Sequence, residues 1–249
     1  MKKGIRLKNV SFGYQKEHHV LENISYEIKP GIFLGITGIN GSGKSTFTYL
    51  LNGLIPHFFK GFLEGEVQVD GVSTKSQNTA YFAHQVGMVF QNPDFSLFNL
   101  TVEEEILFGM KNLKLGNTEE RTQEALKEVK LPGYENRDPQ TLSFGEKQKV
   151  CLASALVFDT PYIVLDEPTA MLDYKNSLEL YAILHKLNNC GKTIIVVEHD
   201  TDFLWQFTKE VIILDQGKIF LSGDNREILS YKNKLQNLGI KVPDRNRKI

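Results

Sequence analysis

The 249-residue sequence is poor in cysteine, carries no excess of either charge and contains no long apolar run. Each absence excludes a class of protein. The two cysteines, Cys151 and Cys190, lack the paired spacing of a zinc site and are predicted to be free thiols rather than a disulfide. Lys and Arg total 29 against 30 Asp and Glu, so the net charge of −1 supplies no bulk attraction to nucleic acid or anionic lipid. No stretch approaches the ~18 successive apolar residues of a membrane span. Met1-Lys2-Lys3-Gly4-Ile5-Arg6 is not followed by the apolar run of a signal peptide, which predicts a cytosolic location. Repeats, low-complexity tracts and a long linker are also missing. With 41% hydrophobic and 24% charged residues, disorder is excluded, and the length suits one globular unit over 1–249.

Short Val, Ile and Leu runs at Ile32 to Ile36, Tyr162 to Leu165, Ile194 to Val197 and Val211 to Leu214 are bounded by Gly, Pro or charge. Continuous rather than alternating, they read as strands covered on both faces, the mark of a mostly parallel sheet flanked by helices in an α/β fold. Ile5 to Val10, Ile24 to Ile28 and Glu66 to Asp70 alternate instead, predicting a half-exposed antiparallel sheet at the N-terminus. Between about 92 and 142 the strand signal disappears, while Ala125, Leu126 and Val129 fall on one face of a helix over Thr118 to Val129. A helical lobe is expected there. Residues 225–249 form a C-terminal extension, whose Lys- and Arg-bearing stretch from Tyr231 to Ile249 is expected to be a solvated end.

Gly38-Ile39-Asn40-Gly41-Ser42-Gly43-Lys44-Ser45-Thr46 follows the strand ending near Ile36 and opens a helix, matching the phosphate-binding P-loop at every fixed position. Its glycines let backbone N–H groups curl around an anion, and the helix start adds partial positive charge. Lys44 then neutralises the outer phosphates of a nucleotide, and Ser45 offers a hydroxyl to Mg²⁺. The apolar strand Tyr162 to Leu165 ends in adjacent carboxylates. Asp166 suits the Mg²⁺ shell, and Glu167 suits a general base that polarises water against the γ-phosphate. Ser143-Phe144-Gly145-Glu146 has the form of a capping box opening a helix through Phe158, with N–H groups and a hydroxyl projecting outward.

The order of these motifs is informative. Gln91 after Gly87-Met88-Val89-Phe90, then Leu142-Ser143-Phe144-Gly145-Glu146, Asp166-Glu167, Asp173 and His199 together resemble the ATP-binding-cassette (ABC) ATPases over about Ile5 to Asp224. Phe90-Gln91-Asn92-Pro93-Asp94, the Phe of the signature and the tail Leu235 to Pro243 further resemble the energy-coupling-factor type, which powers vitamin and transition-metal uptake. The resemblance implies that Tyr14 stacks on adenine, Gln91 senses Mg²⁺ and the attacking water, and His199 contacts the γ-phosphate. It also implies that Ser143, Gly145 and Glu146 reach ATP held by a second ATPase subunit, alike or related, in a head-to-tail dimer. Phe144 and Glu146 depart from the usual Gly and Gln, and Glu146 adds negative charge near the nucleotide. Phe95, Leu97, Phe98 and Leu100 read either as lobe core or as a coupling surface for integral membrane subunits, which would place the chain at the cytoplasmic face of the membrane. A non-transport ATP switch of the same fold is one alternative, although tandem cassettes, coiled-coil insertions and zinc cysteines are missing. A P-loop kinase is another, and it leaves Leu142 to Glu146 and His199 unexplained.

Overall fold

The alternating N-terminal segments form one sheet. β1 (Ile5–Gly13) pairs antiparallel with β2 (Leu21–Ile28), and the chain then runs through β3 (Phe33–Gly38), α1 (Lys44–Leu51) and α2 (Leu54–His57) before β4 (Phe62–Val69) returns to the other side of β1. The two-residue β5 (Val72–Ser73) closes the order β2-β1-β4-β5. The computed structural model describes residues 3–113, 116 and 118–243.

A second sheet carries the continuous apolar runs. After α3 (Thr79–Ala83) come β6 (Val86–Val89), the helices α4 (Val102–Asn112), α5 (Thr118–Glu128) and α6 (Phe144–Leu156), then β7 (Tyr162–Asp166), α7 (Tyr174–Asn189), β8 (Thr193–Val197), α8 (Asp202–Phe207) and β9 (Glu210–Asp215). The chain closes with β10 (Lys218–Asp224), α9 (Asn225–Ser230) and α10 (Lys232–Asn237). The strand order is β10-β9-β3-β8-β7-β6, parallel except for the antiparallel edge strand β10. Both faces are covered. In β7, Ile163 and Leu165 enter one core while Tyr162 and Val164 enter the other; in β8, Ile194 and Val196 are divided from Ile195 and Val197 in the same way. That division explains why these strands read as unbroken apolar runs.

The first core lies under α6 and α7 and continues into the helical region, where Ile106, Met110 and Leu126 join Val150. The second joins Ile36, Val164 and Val197 to Phe47 of α1 and to Ile5, Val10 and Phe12 of the antiparallel sheet. A third gathers Trp205, Val211 and Ile213 with Ile228, Leu235 and Ile240. Leu235 and Ile240 thus correct the expectation of a solvated tail: apolar residues spaced along α10 and just beyond it bury against α8 and β9. Residues 244–249 lie outside the described residues. No helix among the described residues is long and apolar enough to cross a membrane. Cys151 is buried and Cys190 exposed, both as free thiols.

Candidate functional site

The C-terminal ends of parallel strands present their loops on one edge, and β3, β7 and β8 all feed this site. β3 stops at Gly38, and the following turn delivers Lys44 as the first residue of α1. Gly43 has φ +97°, and a Cβ there would meet Leu21 Cδ2 at 2.7 Å and the Val20 carbonyl oxygen at 2.9 Å, so only glycine fits both backbone and space. No side chain caps the start of α1. Its first-turn N–H groups and the Gly38–Gly43 turn, through Ile39, Asn40, Gly41 and Ser42, have the form of a cradle that can take an anion, with the Ser42 N–H donated inside the turn to Ile39 O at 3.2 Å. Ser42 Oγ is buried there with no partner among the described residues.

Lys44 is buried and curls back over the turn, its Nζ donating to the carbonyls of Gly38 at 3.0 Å and Ile39 at 3.2 Å. Burial lowers its ammonium below the ordinary value, while Glu167 and Asp166 pull it back up. Asp166, at the end of β7, is also buried. Burial raises its carboxyl, a hydrogen bond from Ser45 opposes that rise, and the neighbouring charges of Glu167 and Lys44 act in opposite directions. Asp166 Oδ1 is buried with no partner among the described residues. An unsatisfied carboxylate oxygen beside a serine hydroxyl is a donor set that fits a hard divalent cation, which takes oxygen ligands and keeps several waters.

Glu167 has φ +46°, a left-handed conformation uncommon for a residue with a side chain and frequent at functional sites. Its N–H donates to Val197 O at 2.9 Å, tying the end of β7 to β8. Gln91 Nε2 donates to Glu167 Oε2 at 2.9 Å across 76 positions of sequence. His199 lines a pocket of about 380 Å³ with Glu167, Thr169, Ala170 and Glu198. Tyr14 is 43% exposed, sets its edge against Phe12 at 4.9 Å between ring centroids, and shares a 3.2 Å hydrogen bond with Thr46 Oγ1. The structure therefore gathers Lys44, Ser45, Gln91, Asp166, Glu167 and His199 around the cradle, with Tyr14 and Thr46 at one side.

The signature residues make their hydrogen bonds elsewhere. Ser143 caps α6 in a full capping box with Glu146, as predicted, but its hydroxyl is engaged within the chain. It donates to Glu146 Oε2 at 2.7 Å, and the same oxygen accepts the Ser143 backbone N–H at 2.9 Å. The reason is the carboxylate, an acceptor on both oxygens, standing where an amide would offer one of each kind. A Cβ on Gly145 would meet Asn176 at 3.1 Å, so close packing against α7 holds that position. Asp173, also part of the motif order, caps α7 by accepting from Asn176 N at 2.7 Å.

The family model described as "ABC transporter" matches residues 21–170. The chain belongs to the ABC transporter family. An ABC transporter ATP-binding protein of Pyrococcus abyssi is 43% identical over 245 residues, 97% of this chain and 88% of that protein. The energy-coupling factor transporter ATP-binding protein EcfA1 of Streptococcus mutans is 37% identical over 244 residues, 96% of this chain and 85% of that protein. Among solved structures, cbiO1 of Clostridium perfringens, part of the ABC transporter complex cbiONQ, superposes with a TM-score of 0.83 at 28% identity, covering 98% of this chain and 97% of that one. A dimeric ATP-binding cassette bound to ADP and Pi gives a TM-score of 0.77 at 32% identity over 89% of this chain and 99% of that one. The α/β cassette fold and the ABC resemblance are both borne out, and the chain is an ATPase of this family, turning ATP and water into ADP and phosphate.

Two residues of the site escape sequence reasoning. Glu198 is fully buried beside His199, and Thr169 Oγ1 donates to its Oε1 at 2.8 Å. Its one visible signal is adjacency to His199. Tyr134 donates to Glu146 Oε1 at 2.6 Å. No local pattern announces that contact.

Proposed function

We propose that this chain is the ATP-hydrolysing subunit of an energy-coupling-factor type importer for vitamins or transition-metal ions, one half of a head-to-tail ATPase dimer seated on integral membrane partners at the cytoplasmic face. The observation that carries the catalytic part is the Gln91 to Glu167 hydrogen bond beside buried Lys44 and Asp166. The glycine-lined amides, Lys44 and Thr46 bind the phosphates, and Tyr14 receives the adenine. Ser45, Asp166 and Gln91 would hold Mg²⁺, which when bound screens phosphate charge. Water adds to the γ-phosphorus while its bond to the bridging oxygen breaks; Glu167 takes the water's proton, Gln91 orients it, and His199 donates to a γ-phosphate oxygen. Ser143 and Gly145 of the second subunit complete the pocket.

The membrane-coupled part is supported by a cavity of about 460 Å³ between α6 and β6, lined among others by Leu54, Met88, Phe90, Leu97 and Phe158. Beside it Phe95 is 88% exposed, Leu100 81% and Phe98 62%, whereas Leu97 is buried. Exposed apolar residues rimming a groove suit a partner's helix. Asp94 ties this edge to the signature helix through a 2.6 Å ion pair with Lys147. The similarity to EcfA1 and to cbiO1 supports the importer type.

The test is Glu167→Gln. The variant is expected to bind ATP with unchanged affinity, to lose at least ~10²-fold in turnover, and to accumulate ATP-dependent dimers on size-exclusion chromatography. Wild-type turnover would overturn the assignment of Glu167 as base.

A further inference from the structure

Glu146 places a carboxylate at a position that, on the reading proposed above, approaches the phosphates held by a second subunit. The structure shows how that charge is handled. Its Oε2 takes both the N–H and the hydroxyl of Ser143, while its Oε1 takes the phenol of Tyr134 at 2.6 Å. Arg137 stacks its guanidinium over the Tyr134 ring, 3.8 Å from the centroid. The loop carrying both residues hangs from the first turn of α4: Val102 N donates to Arg137 O at 2.9 Å and Glu103 N to Glu135 O at 3.0 Å. Tyr134 is thus a fixed donor, and Arg137 adds positive charge behind it.

Two acceptors compete for the Ser143 hydroxyl proton: Glu146 within the chain and a phosphate oxygen from outside. A carboxylate whose second oxygen is already engaged by a phenol presents less charge and a weaker hold on the serine. We propose that Tyr134 is a positioning residue of the signature, anchoring Glu146 through Oε1 so that the Ser143 hydroxyl can turn its hydrogen bond to a nucleotide bound across the dimer. The proposal rests on the trans-acting role of Ser143. The shifts agree in direction: hydrogen bonds from Tyr134 and then Ser143 hold the Glu146 carboxyl below its ordinary value, with Arg137 adding to them, and the bond to Glu146 raises the Tyr134 phenol.

The experiment is a double-mutant cycle on ATP hydrolysis by the full chain, using wild type, Tyr134→Phe, Glu146→Gln and the double variant, with Ser143→Arg as reference. Phe keeps the ring beneath Arg137 and removes only the hydroxyl. Tyr134→Phe is expected to raise the KM for ATP about tenfold, with kcat much less affected and with the affinity of isolated protomers for ATP unchanged, measured in the Ser143→Arg background. In the Glu146→Gln background the same substitution is expected to have no effect on KM. An equal rise in both backgrounds, or no rise in either while Ser143→Arg abolishes turnover, overturns the role of Tyr134 alone. Wild-type hydrolysis by Ser143→Arg overturns the trans reading, and the role of Tyr134 with it.

Discussion

Glu198 is a residue whose chemistry is strongly altered by its surroundings. Burial pushes its carboxyl up to about 8 from an ordinary 4.5, hydrogen bonds from Thr169 oppose the rise, and Glu167 and Asp200 add to it. Tyr181 on α7, buried against it, is pushed well above its ordinary value by its own burial and by Glu198. His199 lines the same pocket. At neutral pH Glu198 therefore holds a proton in the folded protein that the unfolded chain has released. The unfolded state binds fewer protons between pH 4.5 and about 8, so this group lowers stability as pH rises through that window and adds no further slope above it. Glu198→Gln is expected to remove a slope approaching about 1.4 kcal/mol per pH unit. Urea denaturation of both proteins across the window checks this, and parallel stability curves would contradict it.

Among the elements, α4 helps to shape the edge proposed to meet a membrane partner. Thr101 caps it by accepting from Glu104 N at 3.1 Å, and Glu103, Glu104 and Glu105 occupy its positive first turn. Glu105 is buried, and its Oε2 accepts from Phe98 N at 2.9 Å, Asn99 N at 2.9 Å and Asn99 Nδ2 at 3.0 Å. One carboxylate oxygen thus folds the segment that displays Phe95, Phe98 and Leu100. Glu105→Ala strips three donors of their acceptor, which is expected to cost about 1–3 kcal/mol. Thermal unfolding should report that loss, and limited proteolysis should cut faster between Phe95 and Leu100. Unchanged cleavage would mean that the segment is held by its apolar contacts instead.

In the molecule as a whole, the tail closes back on the segment that follows His199. The Lys241 carbonyl accepts from Thr201 Oγ1 at 2.6 Å and from Trp205 Nε1 at 2.9 Å. Its ammonium pairs with Asp202 Oδ2 at 2.5 Å and Asp200 Oδ1 at 3.4 Å. Trp205 is the sole tryptophan, so its emission reports this docking directly. Removing residues from Gly239 onward is expected to shift that emission to the red as the indole loses its cover and its hydrogen bond. An unshifted spectrum would show that α8 keeps Trp205 buried without the tail.

The residues of the cradle and the two carboxylates are local in the chain, and their chemistry could be read directly: a glycine-rich turn between strand and helix, and a strand ending in Asp166 and Glu167. The strand types were equally legible, because a strand covered on both faces must be apolar throughout, while one exposed on a face must alternate. Contacts between distant segments emerge only on folding, because the partners leave no mark on local pattern. Gln91 meets Glu167, Tyr134 meets Glu146, Leu97 turns inward while Phe95 and Leu100 stay out, and Leu235 and Ile240 bury a tail whose Lys and Arg residues suggest a solvated end. Periodicity reports which face of an element is apolar, but what covers that face, and which acceptor a buried donor finds, is settled only when the whole chain packs.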